Sequence, residues 1–460
     1  MSKKYDLAIL GGGPGGYVAA LRAANLGLSV ALIDEGGIGG TCLQRGCIPT
    51  KALLSSAKLY SGLKNAQDFG VHCKELSFDM AEAVARKDKV VYELVSGIEK
   101  ILKKRKVEVI KGRGCLSDSR TILVDTLEDA VKADKIIIAT GSRPAKIPSL
   151  EVDGRIVLNS DQALEQRTLP SSMLIVGGGV IGCEFATFYS MLGVDVTIVE
   201  LMDRVLMASD KVLAKQAAAS MKKKGVKILC KTKIEKLITK SARAVATLES
   251  GDEIDFDQAL VSIGRVPCTE DIGLSSIGLE LDERGFIPVD KQQRTSLDGI
   301  FAIGDVISGT WWLAHAASAQ GVVAAEIAAG LDSQFADEAL PSVTFTNPEL
   351  AQVGLTEAQC REREIPFKTG RFMFAANGKA LAQGEGSGTV KLIVEKDGNK
   401  VLGCHILGPG ASDLISEVTH SMRVGSGAEG IVKTIHAHPT LSEVIHEAAE
   451  AALGNPIHQI

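Results

Sequence analysis

Residues 5–34 read YDLAILGGGPGGYVAALRAANLGLSVALID, and this stretch decides the fold. Tyr5–Leu10 has the apolar character of a short buried strand. Glycines then crowd the turn at Gly11, Gly13, Gly15 and Gly16 around Pro14, and from Tyr17 to Leu26 the apolar spacing becomes helical. A second strand, Ser29–Ile33, ends in Asp34, 23 residues after Gly11. A Gly-x-Gly-x-x-Gly run is weak evidence by itself in a Gly-rich chain. Between a strand and a helix, with an acid closing the next strand, it describes a mechanism. Backbone N–H groups at the helix N-terminus hold a pyrophosphate, and the carboxylate accepts from ribose hydroxyls. The unit is expected to bind an adenine dinucleotide.

The pattern recurs. Met173–Val176 reads as a strand, Gly177, Gly179 and Gly182 form the turn with Val180 and Ile181 between them, a helix follows, and Asp195–Val199 leads into Glu200. Gly177 and Glu200 stand 166 residues beyond Gly11 and Asp34 respectively. Equal turn-to-acid spacing in two segments predicts a second dinucleotide site. The acids suit free 2′-hydroxyls and repel a 2′-phosphate, a preference that Arg204, four residues past Glu200, tempers. Each unit also closes alike, Lys135–Thr140 running into Gly141 and Ala259–Ile263 into Gly264. Thr295–Asp305 (TSLDGIFAIGD) reads as a turn, a buried strand and Gly-Asp that returns the chain to the first unit. The expected fold class is α/β: two Rossmann-like dinucleotide-binding domains, the second inserted in the first, plus an α+β domain. The expected bounds are 1–146 with 271–337, 147–270, and 338–460.

Composition narrows the function. With 45% hydrophobic residues in 460, the chain buries a core and is not disordered. A net charge of −5 offers no basic footprint, so nucleic acid is not an expected partner. The opening MSKKYDLAIL passes from lysines straight into a strand, without an export or transit segment, and no apolar run reaches membrane-spanning length. A cytoplasmic protein without a membrane association is expected.

Cys42 and Cys47 lie in GGTCLQRGCIPTKALL, just after the first ribose acid. Such a pair is redox-active, metal-binding or two unrelated core thiols. Metal is the weakest of these, since the spacing is Cys-x-x-x-x-Cys, no Cys-x-x-Cys follows and the nearest histidine is His72. In a regular helix Cα atoms five apart are separated by about 8.6 Å, too far for a disulfide, so a redox pair requires a distortion that Gly46 and Pro49 can supply. Lys51, four residues past Cys47, favours a thiolate there.

GGTCLQRGCIPTKALL, GGGVIGCE, SIGRVP, GIFAIGD and HAHPTLSE, in this order along the whole chain, resemble the pyridine nucleotide:disulfide oxidoreductases, and among them the branch that oxidises protein-bound dihydrolipoamide. The resemblance implies FAD on the first unit, at Gly11, Gly13, Pro14, Gly15, Gly16, Asp34, Gly40, Thr41, Lys51, Thr140 and Gly141, with Asp305 holding the flavin ribityl chain. It implies NAD on the second, at Gly177, Gly179, Val180, Ile181, Gly182 and Glu200, and lesser backbone contacts at Gly114, Ala314, Ile234 and Gly264. By the same resemblance Cys42 and Cys47 form the redox disulfide, Cys42 meeting substrate and Cys47 lying against the flavin, while Lys51 beside the flavin pairs with Glu184. No metal is implied.

From Pro341 onward, strand-like runs and turns resemble the family's dimer-interface domain. It ends in HAHPTLSE, where Pro439 forces His438 out of the helical region and Glu443 follows five residues on. An imidazole held by a carboxylate is a general acid/base pair. In the family its counterpart serves the dithiol of the other subunit, which implies a homodimer and a lipoyl-bearing acyltransferase or glycine-cleavage carrier protein as partner. The chain departs from the family's habit at Gln44 and at the bulky Trp311 and Trp312. A glutathione-type reductase is disfavoured by Glu200, and a non-enzymatic flavin-bound partner protein would have no use for both cysteines, Lys51 and the His438–Glu443 pair together.

Overall fold

The computed structural model describes residues 4–309 and 311–459. Its first sheet is built on Lys4–Leu10, which runs parallel to Val30–Asp34 on one side and Val131–Ile138 on the other. Glu108–Lys111 extends the sheet beyond Val30–Asp34, and Ile300–Ala302 joins parallel to Val131–Ile138. Leu7, Ile9, Leu32, Ile33 and Ile136–Ile138 are wholly buried, as parallel strands covered on both faces must be. The helix Pro14–Asn25 starts three residues earlier than its apolar spacing suggests. Pro14 has no N–H to satisfy and a φ already suited to a first turn. This helix lies against Ala314–Ala328, and the approach is so close that a Cβ on Gly321 would stand 2.4 Å from Gly15 O.

The second sheet repeats the plan, with Ser172–Val176 between Asp195–Glu200 and Gln258–Val261, flanked by Lys227–Cys230 and Val157–Leu158, all parallel. An antiparallel set, Ile234–Lys240, Arg243–Leu248 and Glu253–Phe256, covers it. The chain leaves the first sheet after Ile138 and returns at Ile300, with the second sheet between. Its two crossings, Ser142–Pro144 and Arg265–Pro267, pair as an antiparallel ribbon.

A third, antiparallel sheet follows in the order Ser342–Thr344, Glu349–Gly354, Val401–Gly408, Thr389–Glu395, Phe367–Met373. Ala411–Val424 and Glu443–Leu453 bury one face of each helix on it. The fold is therefore the expected α/β pair with an α+β third unit. Among the described residues no helix is long and apolar enough to cross a membrane.

Candidate active site

The two glycine turns have the same construction. Gly11 and Gly177 adopt φ of 110° and 101°, and a Cβ on either would lie 2.2 Å from Ala139 O or 2.5 Å from Ser262 O. Gly16 and Gly182 are closed in by Gly11 O and Gly177 O, 1.8 and 2.0 Å from such a Cβ. The middle glycines differ. Gly13 and Gly179 have φ of −67° and −73°, open to any residue, and a Cβ there would meet nothing within 4 Å among the described residues. That clear space is what a pyrophosphate needs to reach the backbone.

The acids hold the turns from behind. Gly12 N donates to Asp34 Oδ2 and Gly178 N to Glu200 Oε2, both at 2.6 Å, and the loops beyond the acids return through Gly39 N to Gly12 O and Leu206 N to Gly178 O, both at 2.8 Å. Asp34 Oδ1 is buried without a hydrogen-bond partner among the described residues, an orphan acceptor placed where a ribose hydroxyl would satisfy it. Burial pushes the Asp34 pKa up against the pull of the Gly12, Gly37 and Gly36 backbone N–H groups and the Arg45 charge. Glu200 Oε1 accepts from Met202 N at 2.8 Å.

The thiols sit at a helix break. Cys42 lies in the short helix Gly40–Arg45 and Cys47 opens Cys47–Lys64, with Gly46 between them at φ −146° and ψ −111°. A Cβ on Gly46 would approach Thr41 O to 2.9 Å, so the break folds the chain tightly and brings the two cysteines close together. Cys42 is half-buried and Cys47 exposed. The neighbouring Cys42 thiol and the Lys51 charge, against desolvation by the protein around the sulfur, lower the Cys47 pKa to about 7. Cys42 moves the other way, raised far above an ordinary thiol by its Cys47 neighbour and by burial. Lys51 Nζ meets Glu184 Oε1 and Oε2 at 3.0 and 2.8 Å. Sequence reasoning did not find the support beneath this pair. Phe345 N donates to Glu184 Oε1 at 2.9 Å and its ring lies 4.4 Å from Lys51 Nζ. No spacing rule links Phe345 to a glutamate 161 residues away.

His438 Nδ1 meets Glu443 Oε1 at 2.8 Å, and Thr440 N donates to Glu443 Oε2 at 2.8 Å. Burial raises the Glu443 pKa, but the Thr440 N–H and the imidazole outweigh it and hold the carboxylate ionised. The His438 side chain is 80% exposed, so its Nε2 side faces away from its own chain. His436 is occupied instead, bonded to Glu417 Oε1 at 2.8 Å and to Thr434 O at 3.0 Å and edge-on to His446.

The remaining expected residues are spread over several elements. Gly40 and Thr41 begin the helix of Cys42, and Gly40 is pressed to Gly13, a Cβ there lying 2.6 Å from Gly13 Cα. Thr140 Oγ1 donates to Cys268 O at 2.7 Å beside Gly141, and Gly264 (φ 119°) precedes the second crossing strand. Asp305 follows Gly304 after the returning strand, and Ala314 opens Ala314–Ala328. Val180 and Ile181 form the first turn of Val180–Met191, and Ile234 begins Ile234–Lys240. A Cβ on Gly114 would approach Leu10 Cδ1 to 2.5 Å, so that glycine is closely packed against the core. Trp312 packs edge-on against Phe286 at 5.8 Å, while Trp311 is exposed. Among the described residues no group of three His, Cys, Asp or Glu side chains is placed to hold a metal ion.

Residues 5–321 match the family described as pyridine nucleotide-disulphide oxidoreductase, and residues 340–449 match its dimerisation domain. The chain belongs to this family. It is 42% identical to the dihydrolipoyl dehydrogenase of Geobacillus stearothermophilus, covering 99% of this chain and 97% of that one. With the protein of the same name from Chlorobaculum parvum it shares 43% identity over 98% of each. Among solved structures, LpdA of Mycobacterium tuberculosis superposes with a TM-score of 0.92 at 30% identity, over 97% of this chain and 99% of that one. As a member of the family the protein is an oxidoreductase that works with FAD and NAD. Its dimerisation domain supports a homodimer.

Proposed function

We propose that the chain oxidises dihydrolipoamide carried by a lipoyl-bearing acyltransferase or glycine-cleavage protein and reduces NAD, the dihydrolipoyl dehydrogenase reaction. The observation that carries this reading is the thiol pair itself, Cys42 and Cys47 brought together across the break at Gly46 with Lys51 one turn on and paired to Glu184. In a Cys42–Cys47 disulfide the better leaving group is Cys47, since the thiol of lower pKa leaves faster. A substrate thiolate attacks Cys42 Sγ, the Cys42–Cys47 bond breaks, and Cys47 departs as a thiolate stabilised by Lys51. The second substrate thiol then displaces Cys42, closing the substrate disulfide and leaving the enzyme pair reduced by two electrons. His438, fixed by Glu443, takes the proton from the attacking thiol; its outward exposure supports its doing so for the partner subunit.

FAD, when bound, supplies the two-electron link between the reduced pair and NAD. Gly11, Gly13, Pro14, Gly15, Gly16, Asp34, Gly40, Thr41, Thr140, Gly141 and Asp305 would hold it, with Lys51 beside the reacting end. The open space at Gly13 and the orphan Asp34 oxygen fit such a ligand. Gly177, Gly179, Val180, Ile181, Gly182 and Glu200 would hold NAD. Steady-state assays with dihydrolipoamide and NAD against glutathione disulfide and NADPH test the reading, and preferential turnover of the second pair overturns it.

The two kinds of glycine separate in mutation. Gly179→Ala is expected to change stability by no more than about 1 kcal/mol, the difference between Gly and Ala at a helix N-cap, while weakening NADH binding. Gly182→Ala is expected to destabilise the second unit, because the added carbon lands 2.0 Å from Gly177 O. Thermal unfolding and NADH titration read the two effects apart; loss of folding in Gly179→Ala would show that its space is needed by the chain itself.

NAD is expected to be preferred over NADP. A hydrogen bond to a charged group contributes about 1.5–3 kcal/mol, so Glu200→Ala should lose roughly tenfold or more in kcat/KM with NAD. Part of that loss will be structural, because Glu200 also holds Gly178 N and Met202 N. Equal kcat/KM with NADP in the unmodified protein would sink the assignment of Glu200.

A further inference from the structure

We propose that Arg265 is a positioning residue for the flavin, acting through Ser142 on the carboxyl of Asp305; this rests on the reading of Asp305 as an FAD ligand. Ser142 Oγ donates to Asp305 Oδ2 at 2.6 Å. The same Oγ accepts from Arg265 Nε at 2.7 Å, and Arg265 Nη2 donates to the Ser142 carbonyl, also at 2.7 Å. A hydroxyl has one proton to give, and a guanidinium can only donate. Arg265 therefore fills a lone pair of Ser142 Oγ and turns its proton toward Asp305. Two bonds from one planar fork to one residue also fix the Ser142 rotamer. With Oδ2 so engaged, Asp305 is oriented to present Oδ1 to a hydroxyl of the ligand.

Electrostatics point the same way. Burial pushes the Asp305 pKa up, while the Ser142 hydrogen bond and the Arg265 charge pull it back toward the ionised form that accepts from a sugar-chain hydroxyl. The three residues come from segments far apart in the chain. Ser142 and Arg265 open the two strands of the crossing ribbon, and Asp305 follows the strand that returns to the first sheet. Arg265 thus ties the connection that carries the second dinucleotide unit to the acid of the first.

FAD loss from the purified holoprotein, followed by the rise of free-flavin fluorescence on dilution, tests the chain of contacts in Arg265→Met, Ser142→Ala, their double variant, Arg265→Lys and Asp305→Ala. Arg265→Met and Ser142→Ala are each expected to weaken FAD binding by roughly ten- to a hundredfold, and the double variant no more than the stronger single one, as for residues acting in series. Arg265→Lys should recover only part, since an ammonium lacks the fork. Should Arg265→Met fail to fold, Arg265→Lys decides, and FAD retention there equal to that of the unmodified protein overturns the proposal. Unchanged FAD retention in Ser142→Ala, or losses that add in the double variant, overturns the proposal if Asp305→Ala still weakens binding. Retention of FAD by Asp305→Ala overturns the ligand reading and the proposal with it.

Discussion

Replacing His438 by Gln is expected to lower dihydrolipoamide turnover by about 10²- to 10⁴-fold, the contribution of a general acid/base group. NADH-to-dye electron transfer should survive, because it needs the flavin and the nicotinamide but no proton from a substrate thiol. The ring is aimed by Glu443 and is 80% exposed on its own chain, which leaves it open to the dithiol of the partner subunit in the proposed reading. Co-refolding the inactive Cys47→Ser and His438→Gln chains tests that geometry. Random assortment makes about half of the dimers hybrids, each with one site built from the Cys pair of one chain and the His438 of the other. About a quarter of wild-type activity should return. If tagged pull-down shows hybrids and no activity returns, His438 serves its own chain or none.

Cys42→Ser and Cys47→Ser should each reduce dithiol oxidation to background, a loss on the order of 10⁴-fold or more, as when a covalent nucleophile is removed. The two variants part company in the spectrum. In Cys42→Ser Cys47 is left unpaired beside Lys51, so a thiolate-to-flavin charge-transfer band should be present without reductant. Because the Cys47 pKa is depressed to about 7, the band is present above that pH and is lost as the pH falls through it. Cys42→Ala removes the donor that contributes most to the depression, and the midpoint should rise toward the ordinary thiol value near 8.5. A Cys47→Ser protein that keeps the band would reassign the sulfur.

What could be read in the sequence was what is local. Each glycine turn and its acid lie within one strand–helix–strand passage, so spacing alone placed both units. The break at Gly46 followed from the distance a helix imposes on residues five apart, and the His438–Glu443 pair from its short separation. Lys51 and Glu184 are 133 residues apart, and only resemblance joined them. Nothing local tied Phe345 to the pair above it, and the SIGRVP run that contains Arg265 gave no sign of its clamp on Ser142, because sheet crossings bring those segments together. The antiparallel set beginning at Ile234 was also illegible. Ile234–Lys240 shows no regular alternation of buried and exposed positions, which is the period a strand needs to be seen. The long helix Met80–Lys104 was unassigned although Asp79 accepts from Glu82 N, a cap visible in the order Asp-x-x-Glu.

The return bonds from Gly39 N to Gly12 O and from Leu206 N to Gly178 O have a consequence for how the catalyst is assembled. Up to those bonds the backbones of the two glycine turns are built alike, and the glycines by themselves do not declare which nucleotide each takes. The chain diverges only afterwards, one exit loop leading at Gly40 into the helix of Cys42, the other at Asp210 into the cap of Lys211–Lys223. Sulfur chemistry is thus an attachment on the exit of one copy, added by the loop that leaves the turn and not by the turn itself.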